Sequence, residues 1–402
     1  VRLRPADADA AILHALRGFA FDGVATVEAE QGGLRYFINA FWTAGQRQGH
    51  SLHEISYRAC FKPQLPEFFI ARLSGPGDTV FDPFSGRGTT AIQAALMGRR
   101  PAANDINPLS EILVRPRLDP PSLAVIRQRL AAFDFTDDGP LQHDDLLAFY
   151  HPETLRQLAA LRRTLLDRAA AGPLDQVDAW IRMVAINRLT GHSPGFFSVY
   201  TLPPNQAVSA ASQRKINADR AQTPPKRDVA GLILRKSKTL LADGAPPPHP
   251  PALLTTGPAE HTPALADASV ALIVTSPPFL DVVDYEGDNW LRCWFAGIDP
   301  ADVPIDRHRG IPAWEAFVRG SFVEFARVVR PGGAVAFEVG EVRGGKILLE
   351  RHVAATISGL PFELLGVMVN AQSFTKTANC WGVGNNARGT NTNRIVLARR
   401  RG

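Results

Sequence analysis

Of 402 residues only three are cysteine, Cys60, Cys293 and Cys380, and no two of them form a C-x-x-C pair. That scarcity and spacing argue against a disulfide framework and a zinc ribbon and fit a reducing compartment. No apolar run approaches the roughly 18 residues of a membrane-spanning helix, and the first residues, VRLRPADADA, lack the apolar core of a signal peptide. The expected location is the cytoplasm, with no membrane partner. There is no internal repeat and no low-complexity tract beyond short runs of proline. Charged residues at 21% and hydrophobic residues at 45% lie near globular averages, which excludes general disorder. At roughly 100 to 200 residues per domain, the length predicts two domains or one large domain carrying an insertion.

What is present is a concentrated positive charge. The net charge is +5 and the pI near 9.3, and eight basic residues (Arg214, Lys215, Arg220, Lys226, Arg227, Arg235, Lys236, Lys238) face only Asp219 and Asp228 within one short segment. The remainder of the chain is close to neutral. A charge run is often only a solvated face; beside Phe196, Phe197 and Tyr200 it is read as a surface for a polyanion.

Residues 1 to 60 read as helix and loop, and PQLPEFFIARL (63 to 73) has helical apolar spacing closed by Gly75, Pro76 and Gly77. TVFDPF (79 to 84) is a short buried strand, TTAIQAALMG (89 to 98) a helix, and RPAAND (100 to 105) a second strand. Together they form a βαβ unit, the opening of a doubly wound α/β sheet. Helices are predicted over 121 to 133, 152 to 171 and 175 to 188. GAPPPHPPA (244 to 252) is a stiff proline linker. Sheet signals resume with ALLTT (252 to 256), VALIVTSPPF (270 to 279), GAVAFEVGEV (333 to 342), FELLGVMVN (362 to 370) and TNRIVLARR (392 to 400). The predicted organisation is a catalytic domain in two parts, 1 to 108 and 252 to 402, interrupted by a mostly helical insertion over 109 to 251.

Two constellations carry chemistry. The first, Asp82-Pro83-Phe84-Ser85-Gly86-Arg87-Gly88-Thr89-Thr90, ends the first strand, where such sheets bind ligands. The third glycine of the dinucleotide fingerprint is missing, as is the lysine of a phosphate loop, which disfavours a nucleotide diphosphate and a nicotinamide dehydrogenase. The glycines are expected to let the backbone approach a cofactor closely. Asp105 ends the next strand 17 residues after Gly88, placed to accept both hydroxyls of a ribose. The second is Thr275-Ser276-Pro277-Pro278-Phe279. Two prolines after a buried strand cannot continue the ladder, so the chain leaves the sheet with carbonyls turned toward a cleft.

These motifs resemble the S-adenosylmethionine-dependent DNA methyltransferases that modify exocyclic amino groups. FDPFSGRGTT is similar to that family's cofactor motif, NDINP to its acidic second-strand motif, TSPPF to its catalytic tetrapeptide, and FKPQLP (61 to 66) to its segment near the methionine end of the cofactor. The resemblance covers 1 to 108 and 252 to 402 and implies a Rossmann-like class I methyltransferase sheet. It implies S-adenosylmethionine as cofactor, held by Lys62, Asp82, Phe84, Ser85, Gly86, Gly88, Thr89, Asp105 and Ile106. Where the family often has an acid touching the adenine this chain has Pro258, and Glu260 is the substitute. It implies catalysis by Ser276, Pro277, Pro278 and Phe279, without a metal. Ser-Pro-Pro-Phe is typical of enzymes acting on cytosine N4, with adenine N6 the alternative; RNA as substrate stays open, as does a non-catalytic nucleic-acid-binding protein on the same fold.

That chemistry agrees with the residues. Acceptors on the two N–H groups of an exocyclic amine draw its nitrogen toward tetrahedral geometry and free the lone pair; Ser276 Oγ and the Pro277 carbonyl are the expected acceptors. The base must be flipped out to be reached, and Phe279 is expected to stack on it or else to pack in the core. Asp284, Tyr285 and Asn289 are assigned either to the base pocket or to helix capping. DNA is the expected partner, held by Arg214, Lys215, Lys226, Arg227, Arg235, Lys236 and Lys238, and a cognate restriction endonuclease is a further partner compatible with this reading. The Asp pair of HDDLLAFY (143 to 150) is read as a helix cap. NCWGVGNNARGTNTNR (379 to 394) is read as a long hairpin loop, or as amides for phosphates and base edges.

Overall fold

A strand covered on both faces shows no polar side and therefore reads as an unbroken apolar run. Thr79–Asp82 and Val270–Thr275 are buried at every position. They are neighbours inside a nine-stranded sheet in a computed structural model that describes residues 5–42, 49–57, 60–136, 144–201, 207–278, 280, 285–304, 310–342, 346–371 and 393–402. We number the strands of this sheet β1 (Val27–Gln31), β2 (Leu34–Asn39), β3 (Thr79–Asp82), β4 (Arg100–Asp105), β5 (Leu253–Thr256), β6 (Val270–Thr275), β7 (Val329–Val339), β8 (Phe362–Asn370) and β9 (Asn393–Arg400). Their spatial order is β1-β2-β8-β9-β7-β6-β3-β4-β5. Strands β7, β6, β3, β4 and β5 are parallel, and β9 runs antiparallel between β7 and β8. This is the doubly wound, class I methyltransferase sheet expected from the sequence. Strand β3 is followed by β4 and β5 on one side and flanked by β6 and β7 on the other. A crevice therefore opens at the carboxyl ends of β3 and β6, the switch point of the sheet.

Side chains alternate between the two faces with the period of a strand. Val80, Leu272, Val274, Ala334 and Ala336 belong to a cluster with residues of the helices Pro5–Arg17 and Gln64–Leu73. Phe81, Ile273, Val335 and Phe337 belong to another with residues of Ile311–Val328 and Leu349–Ile357. In Ile311–Val328 the buried positions Trp314, Phe317, Val318, Phe322 and Phe325 recur at helical spacing, so one apolar stripe faces the sheet.

The N-terminal region differs from its reading as helix and loop, because it also supplies β1 and β2. Strand β1, VEAEQ, is exposed along its whole length and has no apolar alternation to detect; β2 pairs parallel with β8. The acidic edge of β1 is itself a means of discouraging strand addition.

Residues 109–251 enter between β4 and β5. The helix Leu109–Leu118 lies against both strands, and Leu123–Ala131, Pro152–Ala171, Gln176–Arg188, Ala210–Asp219 and Val229–Leu240 follow. Ser122, Asp175, Ser209 and Asp228 cap four of these helices by accepting backbone N–H groups. Their apolar faces share one buried cluster with Ala91, Ile92 and Ala95 of the helix Thr89–Leu96 and Ala103 of β4. Entry and exit are held together, with a His249 ring nitrogen 3.4 Å from the Leu118 carbonyl and Arg100 Nε donating to the Pro251 carbonyl at 3.1 Å. Among the described residues no helix is long and apolar enough to cross a membrane.

Candidate active site

Pro83, with no N–H to offer, ends β3, and the Asp82 carboxylate accepts the Phe84 N–H at 3.2 Å to start the turn. Gly86 and Gly88 sit in the left-handed region, at φ +51° and +79°, and the helix Thr89–Leu96 begins immediately. A Cβ on Gly88 would fall 2.3 Å from Val114 Cγ2, so this glycine serves the packing of the turn on the helix Leu109–Leu118. That corrects the expectation that it clears space for a ligand; Gly88 does not line the cleft, whereas Gly86 does. Thr90 Oγ1 donates to the Val274 carbonyl at 3.0 Å, and Thr275 Oγ1 donates to Asp82 at 2.6 Å, tying the turn to the end of β6. Burial pushes the Asp82 carboxyl up to about 7 against the pull of the Thr275 hydroxyl and the Phe84 N–H. Asp82 is thus a strut between strands and lies behind the cleft wall.

Asp105 ends β4 beside this turn. Its two oxygens accept from the Gly86 N–H at 2.7 Å and the Asn107 N–H at 2.9 Å. Burial raises its pKa, opposed by those two N–H groups. Each carboxylate oxygen retains acceptor capacity beyond these bonds. Sequence reasoning misses the neighbouring Asn104: its amide donates to the Gly257 carbonyl at 2.8 Å and accepts from Thr255 Oγ1 at 2.9 Å, joining the loops after β4 and β5.

The strand ends line a partly enclosed cleft of about 930 Å³, a volume that includes the solvent at its mouth. Of the residues assigned to a cofactor from sequence, Phe84, Ser85, Gly86, Thr89, Asp105, Ile106 and Glu260 line it, and Ser276 and Pro278 line it from β6. Lys62 is exposed and does not line it; the preceding Cys60 and Phe61 do. Tyr57 and Phe317, which no motif marks, line it too, as does Arg87 of the glycine motif, which the sequence did not assign to the cofactor. Arg87 donates to the Ile55 carbonyl at 2.8 Å and to Thr89 Oγ1 at 3.1 Å. Arg117, wholly buried, donates to the carbonyls of Leu113 at 2.8 Å, Leu52 at 3.0 Å and Arg87. Burial, and then the charge of Arg87, depress its pKa to about 9. The two guanidiniums clamp residues 52–55 over the glycine turn.

S-adenosylmethionine fits this cleft. Ser85 Oγ is buried on the wall with no partner among the described residues, Asp105 offers carboxylate lone pairs for ribose hydroxyls, and the Phe84 and Phe317 rings, 5.4 Å apart, give an apolar surface. At the end of β6, Ser276 is partly exposed and Pro277 buried outside the cleft lining. The buried Trp314 donates its indole N–H to the Pro278 carbonyl at 3.0 Å. Phe279 and Asp284 lie outside the described residues, as does the side chain of Tyr285. Asn289 is buried, and its amide oxygen accepts from Arg292 at 2.8 Å rather than lining the cleft.

The basic segment is less free than its composition implied. Arg214 pairs with Asp145, Lys226 with Glu153, and Lys236 lies 3.7 Å from Glu54. Burial depresses the Lys236 pKa to about 8. Arg227 is half-buried, its backbone N–H donating to Thr154 at 2.8 Å. Lys215, Arg235 and Lys238 are exposed and carry no ion pair among the described residues. Phe196 and Phe197 are core residues, and Arg220 lies over the ring of Tyr200 at 4.0 Å.

Comparison with known proteins agrees with this geometry. A family model described as DNA methylase, of the N6 and N4 type, matches residues 28–112, from β1 through the glycine turn to the helix after β4. The type II methyltransferase M.MjaII of Methanocaldococcus jannaschii is 38% identical over 69 residues, which are 17% of this chain and 13% of that protein. The chain thus spans about an eighth of the length of that curated relative. Among solved structures, the rRNA methyltransferase aviRa from Streptomyces viridochromogenes is 15% identical, covering 90% of this chain and 96% of its own at a TM-score of 0.33. TrmN from Thermus thermophilus is 12% identical, covering 87% and 51% at a TM-score of 0.31. The segment that holds the glycine turn and Asp105 is thus similar to the N6/N4 DNA amino-methyltransferase family, with distant similarity to M.MjaII.

Proposed function

We propose that the protein transfers a methyl group from S-adenosylmethionine to the exocyclic N4 amine of a cytosine flipped out of DNA. The observation that carries this reading is that Asp105 and Ser85, whose hydroxyl has no partner among the described residues, line the same cleft as Ser276 and Pro278. A ribose-binding end and an amine-binding end thus share one cavity. When bound, the sulfonium supplies an activated methyl group, and positioning and charge placement supply the rest of the acceleration. Ser276 Oγ, on the cleft wall, accepts from the amine, and Trp314 holds the loop by its bond to Pro278. Asp105 holds the ribose hydroxyls, and Ser85 offers a further polar contact.

DNA is held along the insert, with Lys215, Arg235 and Lys238 as phosphate contacts and the paired Arg214, Lys226 and Lys236 as scaffold. Likeness to a type II methyltransferase supports a modification role beside a restriction endonuclease reading the same sequence. Ser-Pro-Pro-Phe supports cytosine N4 over adenine N6. Incubating purified protein with DNA and labelled cofactor, then separating the nucleosides by mass spectrometry, tests this. N4-methylcytosine is expected. N6-methyladenine would transfer the reading to the other base, methylated RNA to another substrate, and an absence of methylated base in any nucleic acid would overturn it.

A further inference from the structure

We propose that Glu338 is the positioning residue behind Ser276, holding the hydroxyl so that its lone pairs face the amine and taking up the proton that the amine gives up. This rests on the methyltransferase reading above. Thr275 of β6 is in register with Phe337 of β7, so the next residues, Ser276 and Glu338, stand abreast where the two strands end. The Ser276 hydroxyl is hydrogen-bonded to the Glu338 carboxyl, and from the other side Asn393 of β9 donates its amide to Oε1. Three adjacent strands thus converge on one carboxyl that is only 5% exposed.

Its surroundings hold a proton acceptor poised near neutrality. Burial pushes the Glu338 carboxyl up to about 7, opposed by the hydrogen bonds from Asn393 and Ser276. The neighbouring Arg394 reaches the buried Glu350 at 2.7 Å, and Asp82 is bonded to Thr275. If Glu338 served only to join strands, a glutamine would do so without the penalty of a buried charge, its oxygen accepting from Asn393 and its NH2 donating to the serine oxygen. What an acid adds is the capacity to accept a proton.

A serine hydroxyl has one hydrogen and two lone pairs. With the hydrogen given to Glu338, both lone pairs are left for the N–H of the base. As the amine nitrogen forms its bond to the methyl carbon, the carbon–sulfur bond breaks and its electron pair stays on sulfur, leaving a neutral thioether. The positive charge now lies on the methylated base. An N–H proton passes to Ser276 Oγ while the serine's own proton passes to the Glu338 carboxylate; the N–H electron pair remains with the base. Base and thioether leave neutral, and Glu338, now protonated, returns its proton to water.

Two measurements decide the role. The first needs no turnover: carboxyl titration followed by isotope-edited infrared spectroscopy should show a glutamate near neutrality, absent in Glu338→Gln and shifted to higher pH in Ser276→Ala, which removes a hydrogen bond that favours the ionised form. An unmoved midpoint in Ser276→Ala overturns the contact. The second is kinetic. Glu338→Gln should lower kcat on the order of a hundredfold, leave cofactor affinity and KM for DNA unchanged, and abolish the rise of kcat through pH 7. Glu338→Asp should regain part of kcat together with that rise. Wild-type kcat and pH profile in the Gln variant, or equal loss in Gln and Asp, would overturn the inference while leaving the enzyme's function standing. A wild-type protein that methylates nothing defeats the functional reading instead, and the titration still decides whether Glu338 holds Ser276.

Discussion

Thr275, the last residue of β6, donates its hydroxyl to Asp82, the last residue of β3, at 2.6 Å. This one bond fastens the loop that precedes the cofactor turn to the strand that delivers Ser276. It also carries a pH dependence. The Asp82 carboxyl is raised from an ordinary 3.8 to about 7 in the folded protein, so the folded state binds an additional proton between those values. Its stabilising contribution is complete below the ordinary aspartate pKa and is lost as pH rises through about 7. Glu338 has the same sign and a similar window. Denaturant melts at pH 5 and pH 8 should show lower stability at the higher pH, and Asp82→Asn should reduce that difference by an amount on the order of a few kcal/mol. An unchanged difference would remove Asp82 as its source.

Asp105→Ala is expected to weaken S-adenosylmethionine binding by about 1 to 3 kcal/mol, the range for hydrogen bonds to a charged group. Because the Gly86 N–H also loses its acceptor, the turn should loosen as well. Calorimetry on the folded variant checks this, and full affinity would place the ribose elsewhere.

Gly88→Ala combines a left-handed φ of +79° with a Cβ 2.3 Å from Val114 Cγ2. The expected destabilisation is about 2 to 4 kcal/mol, from overpacking and backbone strain together. In the double variant Gly88→Ala/Val114→Ala the steric part should be recovered relative to Val114→Ala alone, and roughly 1 kcal/mol of strain should remain. Additivity of the two substitutions would mean that Val114 does not set the requirement for glycine.

Trp314→Phe keeps a large ring in the core and deletes only the indole N–H that holds the Pro278 carbonyl. Stability should fall by about 1 kcal/mol, with a larger fractional loss in kcat than in cofactor affinity. Single-turnover kinetics alongside calorimetry separate the two effects, and equal losses would make Trp314 a purely structural residue.

Replacing Lys215, Arg235 and Lys238 by Gln should weaken binding to every DNA sequence and lower the slope of log affinity against log salt by about 0.9 for each phosphate that is no longer neutralised. Lys236→Gln should do less to the slope and more to stability, because its ammonium is half-buried near Glu54. An unaltered slope in the triple variant would return this face to ordinary solvation.

The parts of the fold legible in the sequence are those whose pattern is local. VALIVT is apolar up to its last residue and TVFD is apolar at its centre because both faces are covered, and the turn after Asp82 announces itself through Pro83, Gly86 and Gly88. Strand β1 escapes because an exposed edge strand of Glu, Ala and Gln has no face to bury. Lys62 is misplaced because its motif fixes the neighbourhood of the segment and leaves open which side chain turns inward; Phe61 and Cys60 do. Glu338, Trp314 and Arg117 act through partners 62, 36 and 30 residues away in the chain, Ser276, Pro278 and Arg87. Only the folded sheet brings such pairs together.

The strap over residues 51–57 has a mechanical consequence. Ser51 exchanges bonds with the end of the insert, its hydroxyl donating to the Leu240 carbonyl at 2.8 Å and its N–H to Asp243 at 2.7 Å. A few residues on, Ile55 takes the guanidinium of Arg87 and Tyr57 faces the cleft. Because the insert's apolar faces also continue into Ala91, Ile92 and Ala95, the two regions share one buried cluster. Heat should therefore melt them together, as one cooperative transition, and a protease that opens the last helix of the insert should find the cofactor wall already undone.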